Sequence, residues 1–437
     1  MSKLDLAHFE QLYPQDTRLE EVEKILSFIK KGASCQIIGL PGTGKSNLLG
    51  LLSYNRSVRL KHLGENQKWF HFVYMDFSEV KKRNFADVIK FMIVSLSYSL
   101  SERNLKEEHD KINFFLSEVK NFEDDLILFQ ALKKSLDYLA IEKELTVVFL
   151  FDRFDQYTPN IGEGFFSNLK ILRNRAKYRF SCVFSLNRYL TELVDPLVLS
   201  EFYEFVGENK VFLKLMDEPG LTFRLRYLEK ITGKKLDLKL HDKILELTAG
   251  HGKLTRLSWE TVLSEPAQVK DLKKLLISRG SIGGALFEIW ASLTSEQKKD
   301  LTRSTNEFLE KIGLTKNGKI TIPLFEAYLK TLTPQISQAL SYDLARDEIT
   351  KGDENLTEKL SPSEFRLLKF LLISRGRVCE KDEIIENVWR DSKTQEGVPD
   401  QALDQIIYRL RKKIEDDPNN PKFIQTVKGR GYKINDS

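Results

Sequence analysis

One stretch of this 437-residue chain constrains it more than any other: Gly39-Leu40-Pro41-Gly42-Thr43-Gly44-Lys45-Ser46. It reads G-x-x-x-x-G-K-S. A short apolar run, Cys35-Gln36-Ile37-Ile38, precedes it, and a leucine-rich run, Asn47-Leu48-Leu49-Gly50-Leu51-Leu52, follows. Strand, glycine-rich loop and helix in that order make a phosphate cradle. The glycines let successive N–H groups curl around an anion, and the helix aims its positive end at it. The expected nucleotide contacts are Gly39, Pro41, Gly42, Thr43, Gly44, Lys45, Ser46 and Asn47. Lys45 would reach the β- and γ-phosphates, and Ser46 would bind Mg²⁺. Binding alone does not establish turnover.

The surroundings predict a parallel sheet. Trp69–Phe77, Leu145–Asp152, Phe180–Asn187 and Lys210–Leu215 are apolar runs of strand length, and helical stretches at 84–102, 108–142 and 162–177 separate them. Strands buried on both faces and alternating with helices give a doubly wound α/β core, here 1–216. Ligands in such folds bind at the carboxyl ends of the strands, where the loop, Asp152 and Asn187 all fall. Residues 217–282 read as a helical lid with a break at 248–256. Residues 283–330 combine helices with a hairpin at Lys316-Asn317-Gly318-Lys319, the pattern of a winged-helix-like module. The charge-dense stretch 331–358 reads as a partly helical linker, and 359–437 as a separate small domain.

A chain this long exceeds one ordinary core. Its 41% hydrophobic and 30% charged residues suit a globular protein. No apolar run reaches the ~18 residues of a membrane span. The start, Met1-Ser2-Lys3-Leu4-Asp5, lacks a signal-peptide pattern. The three cysteines have no metal spacing and suit buried positions in a reducing compartment. The expectation is a cytoplasmic protein with no membrane partner.

The chemistry concentrates at strand ends. Asp152 is the expected Mg²⁺ partner of Ser46. The next residue, where an acid would orient an attacking water, is Arg153, which cannot act as a base. Asp155 is the substitute at hand. Asn187 either orients water or the γ-phosphate, or ends its strand. Arg173 and Arg175 are either an arginine finger for a neighbouring copy or a solvated face. His251, Lys253 and Arg256 lie at a helix start after Gly250, and His251 or Arg256 is the expected nucleotide sensor of the lid. The helix over 16–26, with Arg18, either covers the adenine or simply packs.

These features resemble the AAA+-related signal-transduction ATPases of the STAND class. The resemblance rests on the loop at 39–46, Asp152-Arg153-Phe154-Asp155, the strand at 180–187, the Gly250-His251-Gly252 turn and the winged-helix-like stretch. It implies a switch that holds ADP when closed and exchanges it for ATP on a signal of unknown source. Arg153 departs from the family pattern.

The last segment shows a helix start at Ser361 with Glu364 three residues on. Two further amphipathic helices follow, at 381–389 and 400–415, then a hairpin around Lys428-Gly429-Arg430-Gly431. The segment closely resembles the winged-helix DNA-binding domains of OmpR/PhoB-type response regulators. The matched residues include Val388-Trp389, Ile407, Arg409-Leu410-Arg411-Lys412-Lys413-Ile414-Glu415, Asp417-Pro418 and Thr426-Val427-Lys428-Gly429-Arg430-Gly431-Tyr432. The resemblance implies that Gln401, Gln405, Tyr408, Arg409, Arg411 and Lys412 face double-stranded DNA, and that Lys428 and Arg430 contact its backbone or minor groove. Eight basic residues against three acids within 409–433 equal the net charge of the whole chain, +5, as expected of a phosphate-binding patch.

The fold expected is an AAA+-like α/β P-loop NTPase with a helical lid, a central winged-helix-like module and a C-terminal winged helix. The function expected is an ATP/ADP-switched, DNA-binding transcriptional regulator with slow or conditional hydrolysis and nucleotide-dependent self-association. A DNA-remodelling ATPase of replication or transposition type, and a STAND-like defence or stress signalling ATPase, are the alternatives.

Overall fold

The computed structural model describes residues 8–162, 164–265, 271–303, 305–336, 340–343, 347–352, 354–389, 400–415 and 417–435. The chain divides into two compact units, Met1–Glu326 and Ala327–Ser437.

Five parallel strands organise the first unit: β1 (Cys35–Ile38), β2 (Phe70–Asp76), β3 (Thr146–Asp152), β4 (Phe180–Leu186) and β5 (Lys210–Phe212). Their order is β2-β3-β4-β1-β5. Although the β3 run is continuously apolar, its side chains alternate between faces, as a strand requires. Val147, Phe149 and Phe151 enter one core with Phe77, Phe154, Phe165 and Phe184. Val148 and Leu150 enter another with Ile37, Leu48, Leu52 and Val211. Both faces of the sheet are thus covered. Because β4 lies between β1 and β3, the ends of all three strands meet on one edge.

Some boundaries differ from expectation for local reasons. The stretch 108–142 is not one helix but two, Lys106–Val119 and Asp125–Asp137, followed by a π turn at Tyr138–Glu142. Asp124 accepts from the Ile127 N–H and starts the second helix afresh. The lid residues form helices Glu218–Thr232, Leu238–Thr248 and Gly252–Ser264, the first ending at left-handed Gly233. The winged-helix-like stretch comprises helices Gly280–Ser292, Ser295–Arg303 and Glu307–Lys311 with strands β6 (Thr315–Lys316) and β7 (Lys319–Ile320). Asn317 and Gly318 both have positive φ, the signature of a tight two-residue hairpin turn. Phe308 packs edge-on against Tyr189, which seats this module on the sheet.

In the second unit, the stretch 331–358 is not a linker. It contains the end of helix Pro323–Ile336 and an antiparallel sheet of β8 (Leu340–Asp343), β9 (Glu348–Lys351) and β10 (Glu354–Asn355). Leu340, Ile349 and Leu356 point into the same core as Leu367, Leu403, Leu410 and Ile424. A few buried apolar residues among many charges escape a composition argument, yet they pin this sheet. Helices Pro362–Ile373, Lys381–Val388 and Asp400–Ile414 follow, with β11 (Cys379–Glu380), β12 (Ile424–Val427) and β13 (Gly431–Ile434) in the order β11-β13-β12. The Ser361/Glu364 capping box is formed.

Candidate functional site

The loop residues Pro41, Gly42, Thr43, Gly44, Lys45, Ser46 and Asn47 line a cleft of about 970 Å³ together with Arg18, Asp152, Asp155, Asn187 and Arg256. Gly42 and Gly44 are left-handed (φ 81° and 106°), so the curled loop needs glycine at both. Gly39 lies under the loop against Leu213. Lys45 folds over its own loop: Nζ donates to the carbonyls of Gly39 (2.7 Å) and Leu40 (2.9 Å) and to Asn187 Oδ1 (2.9 Å). The Asn187 amide in turn donates to Asp155. Burial lowers the Lys45 pKa to about 8, against the pull of Asp155 and Asp152. Burial also raises that of Asp155, opposed chiefly by Lys45. A lysine, an amide and a carboxylate from three elements thus form one chain across the strand ends.

Asp152 is fully buried at the end of β3. Its Oδ2 accepts from the Tyr74 hydroxyl at 2.7 Å, whereas Oδ1 has no hydrogen-bond partner among the described residues. A buried carboxylate oxygen left unpaired is costly. Asp152 lines the same cleft as Ser46, and an unpaired carboxylate oxygen beside a hydroxyl fits a hard divalent cation of Mg²⁺ type, which takes oxygen ligands. Arg153 pairs with Asp76 Oδ2 at 3.1 Å. Arg188, which no sequence motif singles out, also lines the cleft and forms no hydrogen bond or ion pair among the described residues. Its position carries the one available signal: it follows Asn187 as Arg153 follows Asp152.

The lid grips the loop from behind. His251 is fully buried. Its Nδ1 accepts from the Leu254 N–H (3.3 Å) and so caps helix Gly252–Ser264. The proton must then sit on Nε2, which donates to the Pro41 carbonyl at 2.8 Å. Burial lowers the His251 pKa to about 4, which keeps the ring neutral. The Lys253 N–H donates to the Gly42 carbonyl at 2.9 Å. A Cβ on Gly252 would lie 3.2 Å from that oxygen. His251 therefore contacts the loop backbone, while Arg256, paired with Glu260, lines the cleft along with Arg224 and Lys253 of the lid.

Arg18 is more than a packing residue. Its buried guanidinium donates to the carbonyls of Thr43 (2.8 Å) and Lys214 (2.6 Å), and its backbone N–H donates to Asp217 (3.1 Å). It thus joins the loop, the exit of β5 and the start of the lid. Arg173 and Arg175 are absent from the cleft lining. Arg173 stacks on Phe205 and Arg175 pairs with Asp137.

On the second unit, Gln405, Tyr408, Arg409 and Lys412 are exposed and spaced i, i+3, i+4, i+7 along helix Asp400–Ile414, so they share one face. The side chain of Gln401 lies outside the described residues. Lys428 and Arg430 are exposed at the hairpin tip. Arg411 differs from expectation: its guanidinium donates to the Ile424 carbonyl (2.7 and 3.1 Å) and to Thr426 Oγ1 (2.8 Å). It ties the helix to the hairpin. Glu415 completes the join by accepting from the N–H groups of Lys422, Phe423 and Ile424 at 2.7–3.1 Å.

Fold and site together define a parallel α/β unit with a phosphate-binding loop at its strand ends, followed by a winged-helix unit. Residues 355–434 match the family described as "Transcriptional regulatory protein, C terminal". Protein PetR of Rhodobacter capsulatus is 39% identical over 97 residues, covering 22% of this chain and 40% of that protein. A probable transcriptional regulator ycf27 of Cyanidium caldarium is 36% identical over 96 residues, covering 22% and 38%. The chain therefore spans about two fifths of the length of these curated relatives. Among solved structures, a Walker-type ATPase of Pyrococcus abyssi aligns at 15% identity over 77% of this chain and 93% of that one, with a TM-score of 0.42. The Aeropyrum pernix ORC1 protein in complex with DNA aligns at 14% identity over 95% and 88%, with a TM-score of 0.35. At such scores the fold is read from the strand order and the loop themselves. No helix among the described residues is long and apolar enough to cross a membrane.

Proposed function

We propose that this protein is a nucleotide-switched transcriptional regulator of the cytoplasm, binding ATP or ADP with Mg²⁺ in the first unit and double-stranded DNA with the second. The observation that carries the nucleotide half is the buried Asp152, with Oδ1 unpaired among the described residues, lining one cleft with Lys45 and Ser46. Ser46 and Asp152 would hold Mg²⁺, which supplies neutralisation of phosphate charge when bound. Lys45 is drawn toward the phosphates and releases Asn187. Asn187 and Asp155 are then free to orient a water, with Asp155 the base in place of the acid missing at 153. Because Arg153 cannot take a proton, hydrolysis is slow or conditional. Arg188 supplies a cation for the phosphates. The lid, held to the loop by His251, Lys253 and Arg18, is the element that the bound nucleotide biases, and self-association follows its state.

The DNA half is supported by the exposed face of Gln405, Tyr408, Arg409 and Lys412 and by the tip residues Lys428 and Arg430. Glutamine and arginine suit base edges, and lysine suits phosphates. The test is genome-wide DNA occupancy and oligomeric state of the full chain with ATP, with ADP and with Lys45→Ala. Occupancy that follows the nucleotide is expected. Equal occupancy and equal assembly in all three would refute the switch.

A further inference from the structure

Arg153 and Arg188 differ from the other cations around the cleft, which are fixed by strong partners. Arg18 is locked to two carbonyls, Arg224 to the Tyr13 hydroxyl, Lys253 to Glu288 and Arg256 to Glu260. Arg153 is half exposed, and among the described residues its one ion pair is with Asp76. Its backbone is left-handed (φ 51°, ψ 35°), which is a strained conformation for a non-glycine residue. The next residue offsets that strain: Phe154 is fully buried, stacked on Phe151 and edge-on to Phe184. The anchored phenyl ring fixes the Cα of Arg153 and leaves its long side chain outside the core, on the wall of the cleft.

The position of its partner is equally specific. Asp76 ends β2 and pairs in register with Asp152 at the end of β3. Tyr74, two residues earlier, occupies Asp152 Oδ2, so Arg153 rests on Asp76 and leaves the cation-facing carboxylate alone. The second Asp76 oxygen accepts from the Ser78 N–H at 3.0 Å, which holds the carboxylate in place. An ion pair at this exposure is weak. A phosphate group offers the guanidinium two parallel, charge-assisted hydrogen bonds instead.

We propose that Arg153 discriminates nucleoside triphosphate from diphosphate, exchanging the Asp76 carboxylate for the terminal phosphate, and that Asp76 sets the threshold by holding the arginine whenever that phosphate is missing. The proposal rests on the nucleotide-binding reading above. The residue that stands where the acid is missing thereby gains a role of its own, reading the third phosphate.

The test is calorimetric titration of the full chain with Mg²⁺ and either ADP or a non-hydrolysable ATP analogue. Four proteins are compared: wild type, Arg153→Gln, Asp76→Asn and Arg188→Gln. Asparagine at 76 keeps the cap on Ser78 through its amide oxygen. Glutamine at 153 keeps much of the length without the charge. Arg153→Gln is expected to weaken the triphosphate about tenfold and to leave ADP unchanged. Asp76→Asn is expected to strengthen the triphosphate several-fold, again without effect on ADP, and the double variant is expected to match Arg153→Gln. An unchanged affinity ratio in Arg153→Gln, or loss of the preference in Arg188→Gln alone, would overturn the proposal and leave nucleotide binding standing. Absence of binding by either nucleotide to the wild type would overturn both.

Discussion

Acidification should loosen the lid from the phosphate loop through one residue, His251. Both ring nitrogens are used in the neutral form: Nδ1 accepts from Leu254 N–H and Nε2 donates to Pro41. Protonation puts a hydrogen on Nδ1, facing the N–H that it caps. It also adds charge beside Lys45 and Lys253, in a ring already fully buried. The folded-state pKa of about 4 lies below the ordinary 6.5. The unfolded chain therefore binds the proton first as pH falls. The stabilisation is complete above pH 6.5 and is lost as pH drops toward 4. Between pH 7.5 and pH 5 the linkage relation gives a loss of about 2 kcal/mol from this group. His71, also buried and also lowered by burial, adds a loss of the same sign, so the wild type alone cannot assign the effect. His251→Asn keeps a cap acceptor for Leu254 and does not titrate. It gives up the bond to Pro41, at a cost of about 1 kcal/mol at neutral pH. Urea unfolding at the two pH values, followed through the buried Trp259 on the same helix, measures the difference. The wild type should lose about 2 kcal/mol more than the variant on acidification. Equal losses in the two proteins would refute the reasoning.

The hairpin offers further checks. Gly431→Ala would place a Cβ 2.0 Å from the Cys379 carbonyl oxygen. It should part β11 from β13 and destabilise the second unit by about 3 kcal/mol, visible as faster amide exchange over 379–434. Glu415→Gln turns one of the two oxygens that together serve three backbone donors into a donor itself. It should cost about 2 kcal/mol, read from the urea midpoint of the same unit. Lys428→Ala and Arg430→Ala should each lower the salt slope of DNA binding by about one. Arg411→Ala should weaken binding through the loosened hairpin while leaving that slope nearly unchanged.

The phosphate loop was legible in full because its constraint is local: backbone curvature, glycine at Gly42 and Gly44, and a lysine at fixed offset. The recognition-helix stripe was legible for the same reason, since helical periodicity alone puts Gln405, Tyr408, Arg409 and Lys412 on one face. The hairpin at Asn317-Gly318 followed from turn chemistry. Local rules failed for the sheet and its exit, where Leu340, Ile349 and Leu356 outweigh a charged composition only because a core waits for them. They failed again for residues whose partners are remote in sequence. The sequence by itself determined that this chain has a phosphate cradle, strand-end acids and a winged helix. Only the tertiary structure decided that Arg411 serves the hairpin, that His251 holds the loop backbone, that Arg18 joins loop to lid and that Arg153 rests on Asp76. A side chain's chemistry is local, but the group that completes its hydrogen bonds is chosen by packing across tens to hundreds of residues.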